Sequence, residues 1–171
     1  MLKHPVKYSA INLNELIREN WELTLMAWRD RGNGLIITEK FRLSPKMECI
    51  VGIENDLSIV LVNLFNTTLD SMNEKATSTE YEPEIEVNTK EYDEYCEIII
   101  KDNGVGLSED MRSQIFMPFI ATDNEGRGIS PGLTLTYEIV THHHDGKIDV
   151  RSRDGGGTEF RIELPKTREI Y

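Results

Sequence analysis

The run Ile98-Ile99-Ile100, closed by Lys101-Asp102-Asn103-Gly104-Val105-Gly106, constrains this chain more than any other stretch. Three consecutive β-branched side chains fit a buried strand, and Asp-Asn-Gly ends it at a turn. A carboxylate, Asp102, therefore stands at the end of a buried strand, where it can accept a hydrogen bond from a ligand amino group. Gly104 and Gly106 let the backbone come close to a flat ring. The same Asp-Asn-Gly serves equally well as an ordinary hairpin turn. Two further stretches bear on that choice.

The 171 residues fit one domain with one core, and 39% hydrophobic with 29% charged residues is a soluble composition. Without a membrane-length apolar run or a signal-peptide core, the expected location is cytoplasmic, with no direct membrane contact. Thirty acidic against 19 basic residues give a net charge of -11, which repels phosphate backbones and argues against a nucleic-acid partner. Cys49 and Cys96 lack metal spacing and read as reduced, half-buried thiols.

Residues 1–10 read as a polar linker. Leu13, Leu16, Ile17, Trp21 and Leu25 then recur at helical spacing, capped by Asn12 or Asn14 and ending near Trp28. Leu35 to Thr38 reads as a strand that Phe41 to Pro45 continues or closes, and Met47 to Val51 as a short extended piece. In the helix expected over Asp56 to Asn73, Leu57, Val60, Leu61, Leu64, Phe65, Thr68 and Met72 make an apolar arc. Asn63, Asn66, Thr67, Asp70 and Glu74 make the polar arc opposite. Such an arc can simply be solvated, yet Asn63 and Thr67 at i and i+4 are close enough to act on one ligand or ion.

A polar loop over 73–83 leads to the alternating strand Glu84 to Thr89 and a hairpin at Tyr92 to Tyr95. Ser108 caps a short acidic helix bearing Met111, Ile115 and Phe116. Residues 117–131 form a glycine-bearing loop, and Ser130 with Pro131 opens a helix with Leu133, Tyr137 and Val140 on one face to His144. Glycines ahead of a helix N-terminus suit phosphate, because unpaired N–H groups and the dipole point outward. Lys147 to Arg151 and Glu159 to Leu164 are strands joined by a turn over 154–157, and 166–171 is a tail. The order gives an α+β fold: a two-layer sandwich of helices on a mixed, mainly antiparallel sheet.

Taken together, the stretches resemble the catalytic, ATP-binding domain of sensor histidine kinases over residues 11–165. That superfamily also holds DNA gyrase, heat-shock chaperone and mismatch-repair ATPases. Residues Asn63 to Met72, with Asn66, Thr67 and Asp70, resemble the N box, and Asp102-Asn103-Gly104-Val105-Gly106 the first glycine box. Ile115-Phe116-Met117-Pro118-Phe119 resembles the F box, and Gly126-Arg127-Gly128-Ile129-Ser130-Pro131-Gly132-Leu133 sits where the second glycine box belongs. Residues 144–160, including Thr158, resemble the closing hairpin.

The resemblance implies a Bergerat-type site: Asp102 holds the adenine amino group, a lid over 117–131 covers the phosphates, and Asn63 with Thr67 reaches Mg2+. The cofactors implied are ATP and Mg2+. The partners implied are a histidine-bearing dimerisation domain and a response regulator. Two departures fall at the phosphate end. Thr67 stands where the family usually has a second asparagine, and Ser130 and Pro131 where it has glycine and leucine. The phosphoacceptor pattern is also missing: His4 precedes Pro5, and His142-His143-His144 reads as a polar helix end rather than a metal site. Three functions follow: a kinase domain passing the γ-phosphoryl group to a histidine elsewhere, a degenerate kinase-like docking module, and, more remotely, a stand-alone serine kinase of the anti-sigma-factor type.

Overall fold

A computed structural model describes residues 7–117, 131–153 and 156–167. In chain order these form β1 (Ser9–Ile11), α1 (Leu13–Asp30), β2 (Thr38–Arg42), β3 (Ile50–Gly52), α2 (Glu54–Ala76), β4 (Glu84–Glu91) and β5 (Tyr95–Asp102). There follow α3 (Glu109–Gln114), α4 (Pro131–Glu138) running into a π-helical turn (Ile139–His143), β6 (Lys147–Arg153) and β7 (Gly157–Pro165). The main sheet runs β2-β4-β5-β7-β6. Only the β2–β4 pair is parallel, the other three being antiparallel. The α+β sandwich with a mixed, mainly antiparallel sheet is thus the fold of this chain.

β5 is the central strand, and its alternation explains the isoleucine run. Cys96, Ile98, Ile100 and Asp102 share the face that meets Phe160, Ile162 and Leu164 of β7, all buried. Ile99 and Glu97 point to the other face and are also buried, Glu97 taking the Arg161 guanidinium at 3.0 Å. Both faces of β5 are therefore closed, and each buried isoleucine contributes on the order of 1.5–3 kcal/mol.

α1 starts as expected, with the Asn12 side chain accepting from the Glu15 N–H at 3.2 Å. Asn14 is instead a tertiary link: its amide donates to the Ser44 carbonyl and its Oδ1 accepts from the Thr89 hydroxyl. The buried stripe of α2 is the expected one with Leu69 added, and Trp21 of α1 meets Phe65 edge-on with centroids 5.2 Å apart.

Four local expectations need correction. The strand expected from Leu35 begins at Thr38, whose N–H donates to the Pro83 carbonyl, and Ile36 points into solvent. An apolar run alone does not make a strand where no neighbour offers backbone partners. Ser9 and Ala10, read as linker, pair with Gly52 and Val51. The thiols are not half-buried: Cys49 is exposed, and Cys96 is buried so fully that its pKa is pushed up to about 11. On α4 it is Leu133, Thr136 and Val140 that turn inward, while Tyr137 lies outside, stacked on Phe116 at 5.7 Å.

Candidate functional site

The end of β5 meets α2 and the start of β7 at Asp102. Only 5 % of this residue is exposed. Its Oδ1 accepts from the Gly104 N–H at 2.8 Å and, more weakly, from the Ser71 hydroxyl at 3.5 Å. Its Oδ2 is buried with no hydrogen-bond partner, and so is the Thr68 hydroxyl on α2. Burial drives the Asp102 carboxyl up to about 7, against the opposing pull of the Gly104 and Thr158 amides and of Ser71 and Thr68. Thr68 and the Thr158 amide thus stand near enough to favour its charge, although neither closes a hydrogen bond to Oδ2.

Backbone packs against this carboxylate so closely that glycine is required. A Cβ on Gly104 would come within 2.6 Å of the Ser71 carbonyl carbon. Gly157, at φ +88°, passes so close to the β5 end that a Cβ would lie 2.9 Å from Asn103 Cα. Gly106 also needs positive φ, at 72°. Asn103 is a brace: its side chain accepts from the Glu84 N–H and donates to the Glu82 carbonyl, both at 2.8 Å. Lys75 donates to the Asn103 carbonyl at 2.9 Å, and the Val105 N–H reaches Ser71 O at 3.3 Å. The Tyr81 hydroxyl donates to Met72 O at 2.7 Å, and its pKa is pushed up to about 12 by burial and then by the Asp102 charge.

The polar arc of α2 divides between two neighbouring helices and its own backbone. Asn63 Nδ2 donates to Gly132 O at 3.0 Å and to Thr136 Oγ1 at 3.4 Å, tying α2 to the start of α4. The approach is tight, since a Cβ on Gly132 would stand 2.8 Å from the Asn63 amide. Thr67 donates to Asn63 O, one turn back in its own helix, at 2.8 Å. Asn66 and Asp70 turn toward the end of α1, accepting from Arg31 at 3.4 Å and from Trp28 Nε1 at 3.2 Å. So Asn63 and Thr67 stand together, whereas Asn66 and Asp70 are engaged with α1.

At the other lip, Leu133 and Ile115 are buried and Phe116 packs on Tyr137. Thr134 donates to Met117 O at 3.1 Å, joining the end of α3 to α4. Phe119, Gly126, Arg127, Gly128 and Ser130, with most of the 117–131 lid, lie outside the described residues. Thr68, Ser71, Tyr81 and Ser152 are the site-facing residues that sequence reasoning missed. Ser152 accepts from the Leu107 N–H and donates to Gly157 O at 3.0 Å, clasping the glycine loop to β7. A threonine inside an otherwise aliphatic stripe was the one available signal.

His144 is neither metal ligand nor phosphoacceptor here. It is buried, with Nδ1 donating to Ile139 O at 3.0 Å and Nε2 accepting from the Ile53 N–H at 3.0 Å. His142 and His143 face different carboxylates, Glu138 and Asp56. Among the described residues, no group of three or more His, Cys, Asp or Glu could hold a metal ion. No helix of the described residues is long and apolar enough to cross a membrane.

At Asp102 the geometry is a buried acceptor oxygen without a donor, beside backbone packed so closely that Gly104 and Gly157 leave no room for a side chain. The chain is 28% identical over 158 residues to the sensor protein FixL of Bradyrhizobium diazoefficiens, covering 92% of this chain and 29% of that protein. It is 30% identical over 156 residues to sporulation kinase A of Bacillus subtilis, covering 91% of this chain and 23% of the relative. The chain thus spans less than a third of either protein. A nucleotide-free structure of the catalytic domain of histidine kinase ThkA is 25% identical and superposes with a TM-score of 0.75, covering 95% of this chain and 99% of that one. Residues 52–168, more than half of the chain, match the model of the histidine kinase-, DNA gyrase B- and HSP90-like ATPases, and the chain belongs to that family as an ATP-binding domain of histidine-kinase type.

Proposed function

We propose that this chain is the cytoplasmic ATP-binding half of a two-component kinase. It holds Mg2+-ATP so that the γ-phosphoryl group passes to a histidine on a dimerisation domain, with a response regulator as the eventual acceptor. The observation that carries the reading is the buried, partnerless Asp102 Oδ2 at the end of β5. ATP supplies the transferable group; the residues of this chain bind, orient and exclude water. Asp102 takes the base amino group, at a strand end held close to α2 and β7 by Gly104 and Gly157. Asn63 Oδ1 and Thr67 Oγ1 are the oxygens at hand for Mg2+, which takes oxygen ligands and keeps part of its shell from phosphates and water. Both His144 nitrogens are committed to backbone, and the acceptor histidine of this proposal lies on the dimerisation domain.

A second reading, a degenerate docking module, is favoured by Thr67, whose hydroxyl is already bonded to Asn63 O, and by Pro131, which opens α4 without an N–H. Calorimetric titration with ADP and a non-hydrolysable ATP analogue, with and without Mg2+, tests both. Affinity for ADP that rises with the triphosphate and Mg2+ supports the kinase reading. ADP binding indifferent to Mg2+ and to the third phosphate supports the degenerate one.

A further inference from the structure

The dipeptide Asn-Gly occurs twice in this chain, at Asn33-Gly34 and at Asn103-Gly104. Asn-Gly is prone to spontaneous deamidation, in which the glycine nitrogen attacks the asparagine Cγ, because glycine neither shields that nitrogen nor restricts the backbone turn that brings it close. Both reacting groups must be able to move, and here the two sites differ. Asn103 is held at both side-chain atoms, Oδ1 accepting from the Glu84 N–H and Nδ2 donating to the Glu82 carbonyl, each at 2.8 Å. The Gly104 N–H is engaged as well, by Asp102 Oδ1 at 2.8 Å. Asn33 has one side-chain bond, from Nδ2 to the Trp28 carbonyl at 2.8 Å. Gly34 is exposed, its N–H has no hydrogen-bond partner among the described residues, and a Cβ built on it would meet nothing within 4 Å.

The single bond made by Asn33 matters to the fold. The Trp28 carbonyl is among the last of α1, which find no partner inside the helix, and Asn33 supplies one from beyond its end. The same end of α1 grips the polar face of α2, Trp28 Nε1 donating to Asp70 at 3.2 Å and Arg31 to Asn66 at 3.4 Å. We propose that Asn33 is a site of spontaneous covalent modification, and that its conversion loosens the grip of α1 on α2. The Gly34 nitrogen bonds to Asn33 Cγ, its proton passes by way of water to the departing amide group, and ammonia leaves behind a cyclic succinimide. Water then opens the ring at one carbonyl or the other, giving aspartate or isoaspartate; nothing is oxidised or reduced. Either product puts a carboxylate where the amide was, which cannot donate to the Trp28 carbonyl and meets the negative end of the α1 dipole. It also offers Arg31 a charged partner in competition with Asn66. The inference is independent of what the Asp102 site binds.

The test is to age the whole folded chain in warm, mildly alkaline buffer, following both dipeptides by peptide mass mapping, with fragmentation to separate aspartate from isoaspartate, and the unfolding midpoint alongside. Asn33 should convert to both products while Asn103 stays intact, and in denaturant, where the Asn103 bonds are gone, both should convert. Gly34→Ala should keep the unmodified midpoint, since the site has room and needs no positive φ, and should yield little or no product at Asn33. The midpoint of the unmodified chain should fall in step with conversion, that of Gly34→Ala should hold, and Asn33→Asp should start low without ageing. Conversion at Asn33 no faster than at Asn103 in the folded chain overturns the site. Full conversion with an unchanged midpoint overturns its effect on the α1–α2 contact, and because aged and fresh samples of one protein are compared, that reading stands even if Asn33→Asp fails to fold.

Discussion

At the scale of a single residue, Asp102 is a cost to folding, and the proposed function gives that cost a purpose. Its carboxyl lies up at about 7 in the folded chain because burial outweighs the amide and hydroxyl contacts around it. The unfolded chain ionises near the ordinary carboxylate value of about 4. An acid whose folded pKa is raised destabilises the fold where it is ionised, so the cost is full above pH 7 and gone below about pH 4. Asp102→Asn should therefore raise stability at pH 8 by about 2–4 kcal/mol, the gain shrinking as pH falls toward 4. Chemical denaturation of both proteins at pH 8, 6 and 4.5 measures this; a loss at pH 8 would show that the carboxylate is satisfied and the pocket wrongly drawn. The same substitution should weaken ADP by about 1.5–3 kcal/mol, the worth of a hydrogen bond to a charged group. ADP affinity of the unmodified chain should climb as pH rises through 7. This residue was legible from sequence, since a β-branched run closed by Asp-Asn-Gly announces a carboxylate at a strand end. Thr68 was not: periodicity puts it among Leu64, Phe65 and Met72, and only the register of β5 against α2 reveals a hydroxyl meeting a carboxylate.

At the scale of elements, α2 is the two-faced helix its periodicity implies, and its polar face is neither solvated nor one site: it serves α4, the end of α1 and its own backbone. Sequence spacing says which side chains share a face; it does not say that Arg31 and Trp28 at the end of α1 will claim Asn66 and Asp70. The junction of α4 with its π-helical turn was likewise invisible, because one extra residue in a turn leaves no mark on composition. Thr136 and Ile139 are buried on the inward side, and Tyr137 is exposed. His144 closes that turn onto the β3–α2 junction through Ile53. His144→Leu should cost about 1–3 kcal/mol by leaving the Ile53 N–H without an acceptor, read as a drop in the unfolding midpoint. The next residue, Asp145, sits at φ 52°, a region costly for side-chain-bearing residues. Asp145→Gly should raise stability by about 0.5–1 kcal/mol in the same measurement, and an unchanged midpoint would show that the Asp145 side chain repays its backbone strain locally.

At the scale of the whole molecule, the two ends of the proposed nucleotide site differ in how fully they are built. The base end rests on the rigid centre of the sheet: Asp102 on β5, Gly157 on β7, and Ser71 and Thr68 on α2. The phosphate end rests on the contact between α2 and α4, where Asn63 spends its amide on Gly132 and Thr67 bonds within its own helix. A threonine there reaches less far than the asparagine usual in the family, and Pro131 removes one backbone N–H from the start of α4. Phosphoryl transfer is accelerated mainly by charge stabilisation at the phosphates, so each change should weigh on rate more than on ADP binding. Thr67→Asn combined with Ser130→Gly and Pro131→Leu should accordingly raise phosphorylation of a supplied histidine-bearing dimerisation domain by at least about tenfold. ADP affinity should shift by less than about threefold, since the base contacts are untouched. The gains need not add, because all three positions act on the same phosphates. Equal rates for the restored and unmodified chains would mean that Thr67 and Pro131 are sound parts of a working phosphate site, and that Asn63 at the α2–α4 contact suffices to organise it.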